Sequence, residues 1–161
     1  MISFSAIFNL VVATAGFASM TLFAVAMAGA APEWLCRPTP ADALGPFYQP
    51  NAPVRASVGQ GYVLSGVVKS AQDCAPIAGA RIEFWLAGPS GDYDDDHRAT
   101  VIADQSGAYR FGSNYPPKYS FRPPHIHVRV SAPGFKTLVT QHYPKKDQAR
   151  ATFDLVLMPA G

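Results

Sequence analysis

The sequence carries little charge. Asp, Glu, Lys and Arg make up 15% of its 161 residues, and the net charge is +2. Nucleic-acid binding wants a clustered basic face, so that class is set aside. Cysteine is scarce as well: Cys36 and Cys74 are the only two. In an oxidising compartment they can pair and pin the N-terminal segment to the body of the domain; otherwise they are two buried thiols. Helical periodicity is sparse, and no internal repeat is visible. Pro (15) and Gly (13) are abundant instead, which suggests many short strands joined by turns, hence a β-sandwich or barrel. The length allows one domain and not two.

Residues 1–31 lack charge altogether. They are rich in Ala, Val, Phe and Leu, and end Ala26-Met-Ala-Gly-Ala-Ala31. This reads as an export signal, cleaved after Ala28 or Ala30. Two features depart from that pattern: no Lys or Arg precedes the apolar run, and the run is long enough to span a bilayer if left uncut. Either way the domain is expected outside the cytoplasm, periplasmic or secreted, with a membrane involved only through an uncleaved segment.

Residues 32–60 are Pro-rich and irregular, and no regular element tolerates so many prolines. They read as an extended arm laid over the domain, anchored by Phe47 and Tyr48. The core, 61–161, alternates as strands do. Strands are expected at Tyr62–Val68, Ile77–Leu86, Thr100–Ala103, Ala108–Phe111, His125–Val130, Lys136–Tyr143 and Thr152–Met158. Seven or eight short strands fit an all-β, antiparallel two-sheet sandwich. Asp94–Asp96 reads as a solvated turn, with a calcium or outer-shell site as the alternative.

The chemistry concentrates in Tyr119-Ser-Phe-Arg-Pro-Pro-His-Ile-His127. On a strand, His125 and His127 share a face while Ile126 and Val128 point into the opposite layer. Two imidazoles side by side on a rigid element are a metal-ligand geometry. Taken alone, a His-x-His pair is also compatible with an ordinary polar strand face.

The pattern as a whole resembles the intradiol ring-cleavage dioxygenases. The resemblance runs from about Pro38 to about Met158. It rests on Gly45-Pro-Phe-Tyr48, Gly66-x-Val68, Cys74-x-Pro-Ile-x-Gly-Ala80, Ile82-Glu-x-Trp85 and Gly91-x-Tyr93, followed by Asp104-x-x-Gly-x-Tyr-x-Phe111, Arg122-Pro-Pro-His-Ile-His127 and Thr140-Gln-x-Tyr143. Several of these motifs also mark turns in non-catalytic prealbumin-like sandwiches. The specific part is Gly-x-Tyr, then Tyr, then Arg-Pro-x-His-x-His, in that order.

The resemblance implies a non-haem Fe(III) site held by Tyr93, Tyr119, His125 and His127, with Tyr115 as the fallback for the second tyrosine. Fe(III) is a hard acid that favours anionic oxygen. A free phenol has a pKa of about 10, so only a metal holds it ionised at neutral pH. The implied reaction inserts O2 between the two hydroxyl-bearing carbons of a catechol and yields a cis,cis-muconate-type diacid, with no organic cofactor. Tyr119 is the implied acceptor of a substrate proton. Arg122 matches the family's active-site arginine, and Gln141 a glutamine near it. Tyr48 reads as part of the pocket mouth or as packing of the arm. His97 and His142 receive no role beyond surface or outer-shell placement. Two other readings stand beside this one: a non-catalytic sandwich binding module, and a zinc or copper site on the His pair. The oligomeric state is left open, with a monomer or a sandwich-packed oligomer expected.

Overall fold

The computed structural model describes residues 33–161. The expected export signal, residues 1–31, lies outside the described residues. Among the described residues there are eight strands: β1 (Tyr62–Ser70), β2 (Arg81–Leu86), β3 (Arg98–Ile102), β4 (Ala108–Ser113), β5 (Ile126–Ser131), β6 (Leu138–His142), β7 (Arg150–Thr152) and β8 (Leu155–Leu157). One sheet runs β3-β2-β5-β6 and is antiparallel throughout. The other runs β4-β1-β7, with β8 also on β1.

The two sheets enclose the apolar residues that alternation assigns to one face. Leu64 and Val68 come from β1, Ile82, Phe84 and Leu86 from β2, Phe111 from β4, Ile126, Val128 and Val130 from β5, and Leu155 and Leu157 from β8. Phe84 stacks on Phe111 across the interior, with ring centroids 4.2 Å apart. Each such side chain contributes about 1.5–3 kcal/mol by leaving water.

Three expectations are corrected. The sandwich is not wholly antiparallel, because β7 and β8 run parallel to β1. The chain leaves β6 in one sheet and crosses to the other before pairing, which reverses its sense relative to a hairpin. The second strand begins at Arg81 rather than Ile77, because Gly79 takes a left-handed φ of +70° and turns the chain there. The last strand is split at Phe153 and Asp154. There the Asp154 carboxylate accepts the Val67 N–H, and the Phe153 carbonyl turns to accept the Tyr109 hydroxyl. Gly66 permits this close approach, since a Cβ on it would lie 2.2 Å from the Phe153 carbonyl oxygen.

Residues 33–60 form no strand beyond single bridges at Val54 and Ser57. They are tied down by backbone hydrogen bonds: Thr39 N to Val156 O, Asp42 N to Val139 O, and Arg55 N to Thr100 O. Cys36 and Cys74 form a disulfide. The segment covers the outer face of the β2–β5 pair, so five of the six residues of β2 are buried. On that face the ladder sets Trp85 opposite His127 and Glu83 opposite Arg129.

Candidate functional site

His127 sits on β5, and His125 immediately precedes it, after the two prolines that hold the entering chain extended. Both are nearly fully buried, at 2% and 3% exposure, and their rings are 4.8 Å apart. Nδ1 of His125 donates to the Pro123 carbonyl at 2.8 Å. That bond fixes the tautomer and leaves the Nε2 lone pair free to accept. The Tyr93 hydroxyl lies 3.0 Å from this Nε2.

Tyr93 comes from the loop after β2 and is brought to the histidines by the arm. Phe47 stacks on it at 4.4 Å and 14°. Tyr119 closes the cluster, its ring edge-on to Tyr93 and to Phe47, both at 5.3 Å. Tyr115 points elsewhere, donating to the Pro144 carbonyl at 3.1 Å and packing on Tyr62.

His127 is held by shape. Trp85 stacks on its ring at 4.8 Å and 6°. On the ring edge lies Gly45, where φ is +74° and a Cβ would stand 2.8 Å from His127 Cε1. The His127 Nδ1 is buried without a hydrogen-bond partner. Trp85 is clamped in turn by Tyr48, whose hydroxyl reaches the Glu83 carboxylate at 3.4 Å. Glu83 is buried and pairs with Arg129 at 2.6 Å. Tyr48 therefore packs the arm.

The charge states suit a metal. Burial pushes His127 down to about 4 and lowers His125, so both are neutral donors at pH 7. Burial raises Tyr93 to about 12, against a smaller lowering effect of the nearby Arg122. Its phenol therefore stays protonated unless a cation replaces the proton. Among the described residues no three His, Cys, Asp or Glu side chains gather as a metal site. The oxygen set against the histidines is the Tyr93 phenol, 3.0 Å from His125 Nε2, and phenol oxygen is a donor that hard cations favour.

Beside the rings lies a second, polar group. Arg122 Nη2 donates to Gln141 Oε1 at 2.8 Å and to the Tyr143 hydroxyl at 3.0 Å. Gln141 Nε2 donates to the Ala43 carbonyl of the arm at 2.6 Å, and Tyr143 donates to Asp42 at 2.8 Å. The site residues read from the sequence thus gather in two adjoining groups, rings and guanidinium.

Four contributors had no place in the sequence reading of the site: Asp42, Gly45 as the neighbour of His127, Trp85 and Tyr143. A tryptophan on the polar face of β2 was the available signal that something covers that face. His97 and His142 lie outside the cluster. His97 pairs with Asp94 at 2.7 Å, and His142 Nε2 lies 2.7 Å from the Tyr62 hydroxyl in the interior. Half-buried His142 is thus a packing residue rather than a surface one. Asp94 caps the short turn Asp95–His97, and Asp95 pairs with Arg98. A cavity of about 550 Å³ lies between Arg110 and Arg150 beside β7 and shares no residue with the ring cluster.

Residues 44–157 match the family model described as Dioxygenase. The chain is 28% identical over 147 residues to the intradiol ring-cleavage dioxygenase prcA of Aspergillus niger, covering 68% of this chain and 46% of that protein. It is 31% identical over 138 residues to a catechol 1,2-dioxygenase of Candida albicans, covering 62% of this chain and 45% of that one. The chain spans about half the length of the curated relatives it matches. Among solved structures it resembles the dioxygenase domain of a dioxygenase–carbohydrate-binding fusion from Streptomyces sp. SirexAA-E. The TM-score is 0.70 and the identity 29%, over 77% of this chain and 100% of that one.

Proposed function

The chain belongs to the intradiol ring-cleavage dioxygenases, and from that membership we propose that it opens a catechol ring between the two hydroxyl-bearing carbons with O2. The proposed site is non-haem Fe(III) held by Tyr93, Tyr119, His125 and His127. The product is a cis,cis-muconate-type diacid. The observation that carries this reading is the Tyr93 hydroxyl facing His125 Nε2 at 3.0 Å, with His125 Nδ1 anchored to Pro123. A phenol and an imidazole lone pair aimed at each other in a buried cluster are two donors that one cation replaces a proton to join.

Fe(III) held by Tyr93, Tyr119, His125 and His127 would supply Lewis acidity toward the catechol oxygens. The chain's own residues do the rest. His125 and His127 are neutral at working pH and rigidly oriented. Tyr119 is partly buried, and as an iron-bound phenolate it would be the base that accepts a substrate proton. Arg122 carries a fixed positive charge beside the cluster, where it stabilises the electron-rich ring carbon. Gln141 and Tyr143 set its direction. Phe47 and Trp85 line the rings and keep water from the buried donors.

Export is part of the proposal. The Cys36–Cys74 disulfide supports an oxidising compartment. The substrate is a catechol with a bulky substituent. Only two residues, Ser120 and Phe121, separate Tyr119 from Arg122, so no long loop roofs the site there.

The test is a visible spectrum and metal analysis of the purified protein, before and after anaerobic catechol. A tyrosinate-to-Fe(III) charge-transfer band that shifts on catechol addition is expected. A colourless protein that stays colourless after iron reconstitution overturns the reading in favour of a binding module, or of a zinc site if zinc is found.

A further inference from the structure

Asp42 makes no ion pair with Arg122, and no other acidic side chain among the described residues does. Yet Asp42 and Arg122 are joined through a single hydroxyl. Asp42 Oδ2 lies 2.8 Å from Tyr143 Oη, which lies 3.0 Å from Arg122 Nη2. The direction of these bonds follows from proton counting. Arginine only donates, so the Tyr143 oxygen must accept from it. The single phenol proton then has two acceptors in reach: the Asp42 carboxylate, and Gln141 Oε1 at 3.1 Å. Gln141 Oε1 already accepts from Arg122, whereas the carboxylate is anionic and nearer. A bond to an ionised acceptor is about twice as strong as a neutral one. The proton therefore goes to Asp42.

The carboxylate is itself held in place. Its Oδ1 accepts the Ala43 N–H at 2.6 Å, and its own N–H donates to the Val139 carbonyl of β6 at 2.9 Å.

We propose that Asp42 is a positioning residue for Arg122. By accepting the hydrogen bond of the Tyr143 hydroxyl it turns the phenol lone pair toward the guanidinium and holds Arg122 beside the ring cluster. Being one hydroxyl removed, it does so without a carboxylate in contact with the guanidinium, so the positive charge stays available to substrate. The arm is then part of the reactive unit and not merely its cover. What Arg122 does for substrate rests on the catechol reading; the positioning itself does not.

The test uses the full chain with Asp42→Ala, Asp42→Asn, Tyr143→Phe and the double variant D42A/Y143F. The first readout needs neither metal nor activity: guanidinium NMR signals of the metal-free protein, with Arg122 identified by its loss in Arg122→Lys. Separate, slowly exchanging Nη signals are expected in the parent chain. They merge in D42A and in Y143F and return in part in D42N.

The second readout is kinetics of the iron-loaded protein with catechol. In D42A kcat falls about tenfold, the effect of one lost positioning bond, while KM moves less than about threefold. The double variant is no slower than either single, as members of one chain of bonds require. Unchanged Arg122 signals in D42A, or losses that multiply in the double variant, overturn the proposal. Should D42A fail to fold, Y143F against D42N carries the same comparison. A parent chain that turns over no catechol but shows the NMR coupling refutes the function and leaves the positioning standing. An active parent matched by D42A in both readouts refutes the positioning alone.

Discussion

A Cβ on Gly45 would stand 2.8 Å from His127 Cε1, closer than such contacts occur. The arm therefore meets the buried His127 ring at a place where any side chain intrudes. The position also holds a φ of +74°, which costs a non-glycine residue about 1–2 kcal/mol. Gly45→Ala is expected to lower folding stability by about 1–3 kcal/mol in urea titrations, and to weaken iron binding, because the buried ring must shift to make room. Unchanged urea midpoint and iron affinity would show that the arm yields instead and does not fix the ring.

The disulfide closes a separation of 38 residues between Cys36 and Cys74. Closing a loop of that size in the unfolded chain is worth roughly 3–4 kcal/mol. Reduction, or Cys36→Ala with Cys74→Ala, is expected to lower Tm by on the order of 10 °C. The released end carries the residues that touch His127 and Tyr143, so iron affinity should fall with it. Iron affinity that survives reduction would mean that the backbone bonds at Thr39 and Asp42 suffice to hold the arm.

The ring cluster was legible in the sequence because its densest part is local. Tyr119, Arg122, His125 and His127 lie within nine residues, and strand alternation states how they face. Partners that come from far along the chain were not legible. Asp42 meets Tyr143 across 101 positions, and that contact depends on the path of an irregular, proline-rich segment with no periodicity to read. Trp85 is intermediate: its face followed from alternation, but not the ring it would meet. The strand count followed from turn residues, whereas the break at Phe153 follows from a contact with Gly66 that only packing reveals.

Burial of two histidines makes the metal-free domain sensitive to acid. His127 and His142 are both pushed down to about 4 by burial, against about 6.5 in an unfolded chain. Between those values the unfolded chain binds protons that the folded one refuses. The stability they contribute is complete above pH 6.5, declines as pH falls, and is gone below about 4, at up to about 1.4 kcal/mol per pH unit for each histidine. Urea midpoints measured at pH 7, 6 and 5 should fall in that order. His142→Asn, outside the ring cluster, should roughly halve the slope. A midpoint independent of pH across this window would mean that both imidazoles are protonated as readily in the fold as outside it.

Phe121 is 94% exposed, in the short turn between Tyr119 of the ring cluster and Arg122. The turn is closed by a bond from Arg122 N to the Tyr119 carbonyl at 2.9 Å, with Ser120 at a φ of +55°. The Tyr119 ring faces Tyr93 while Arg122 reaches Gln141, which leaves Phe121 at the rim with an uncovered aromatic face. Leu44 of the arm and Tyr143, one residue past β6, are also more than a third exposed. On the proposed catechol reading, a substituent projecting outward past Arg122 would meet Phe121, and an aromatic or alkyl group would gain about 1–2 kcal/mol by burial against it. Turnover of plain catechol, protocatechuate and an aryl-substituted catechol should therefore rank the aryl compound first in kcat/KM. Phe121→Ser should lower the aryl-to-plain ratio by about five- to thirtyfold, the equivalent of that burial. Strict preference for plain catechol, or a ratio that Phe121→Ser leaves alone, would assign the exposed ring to something other than substrate choice.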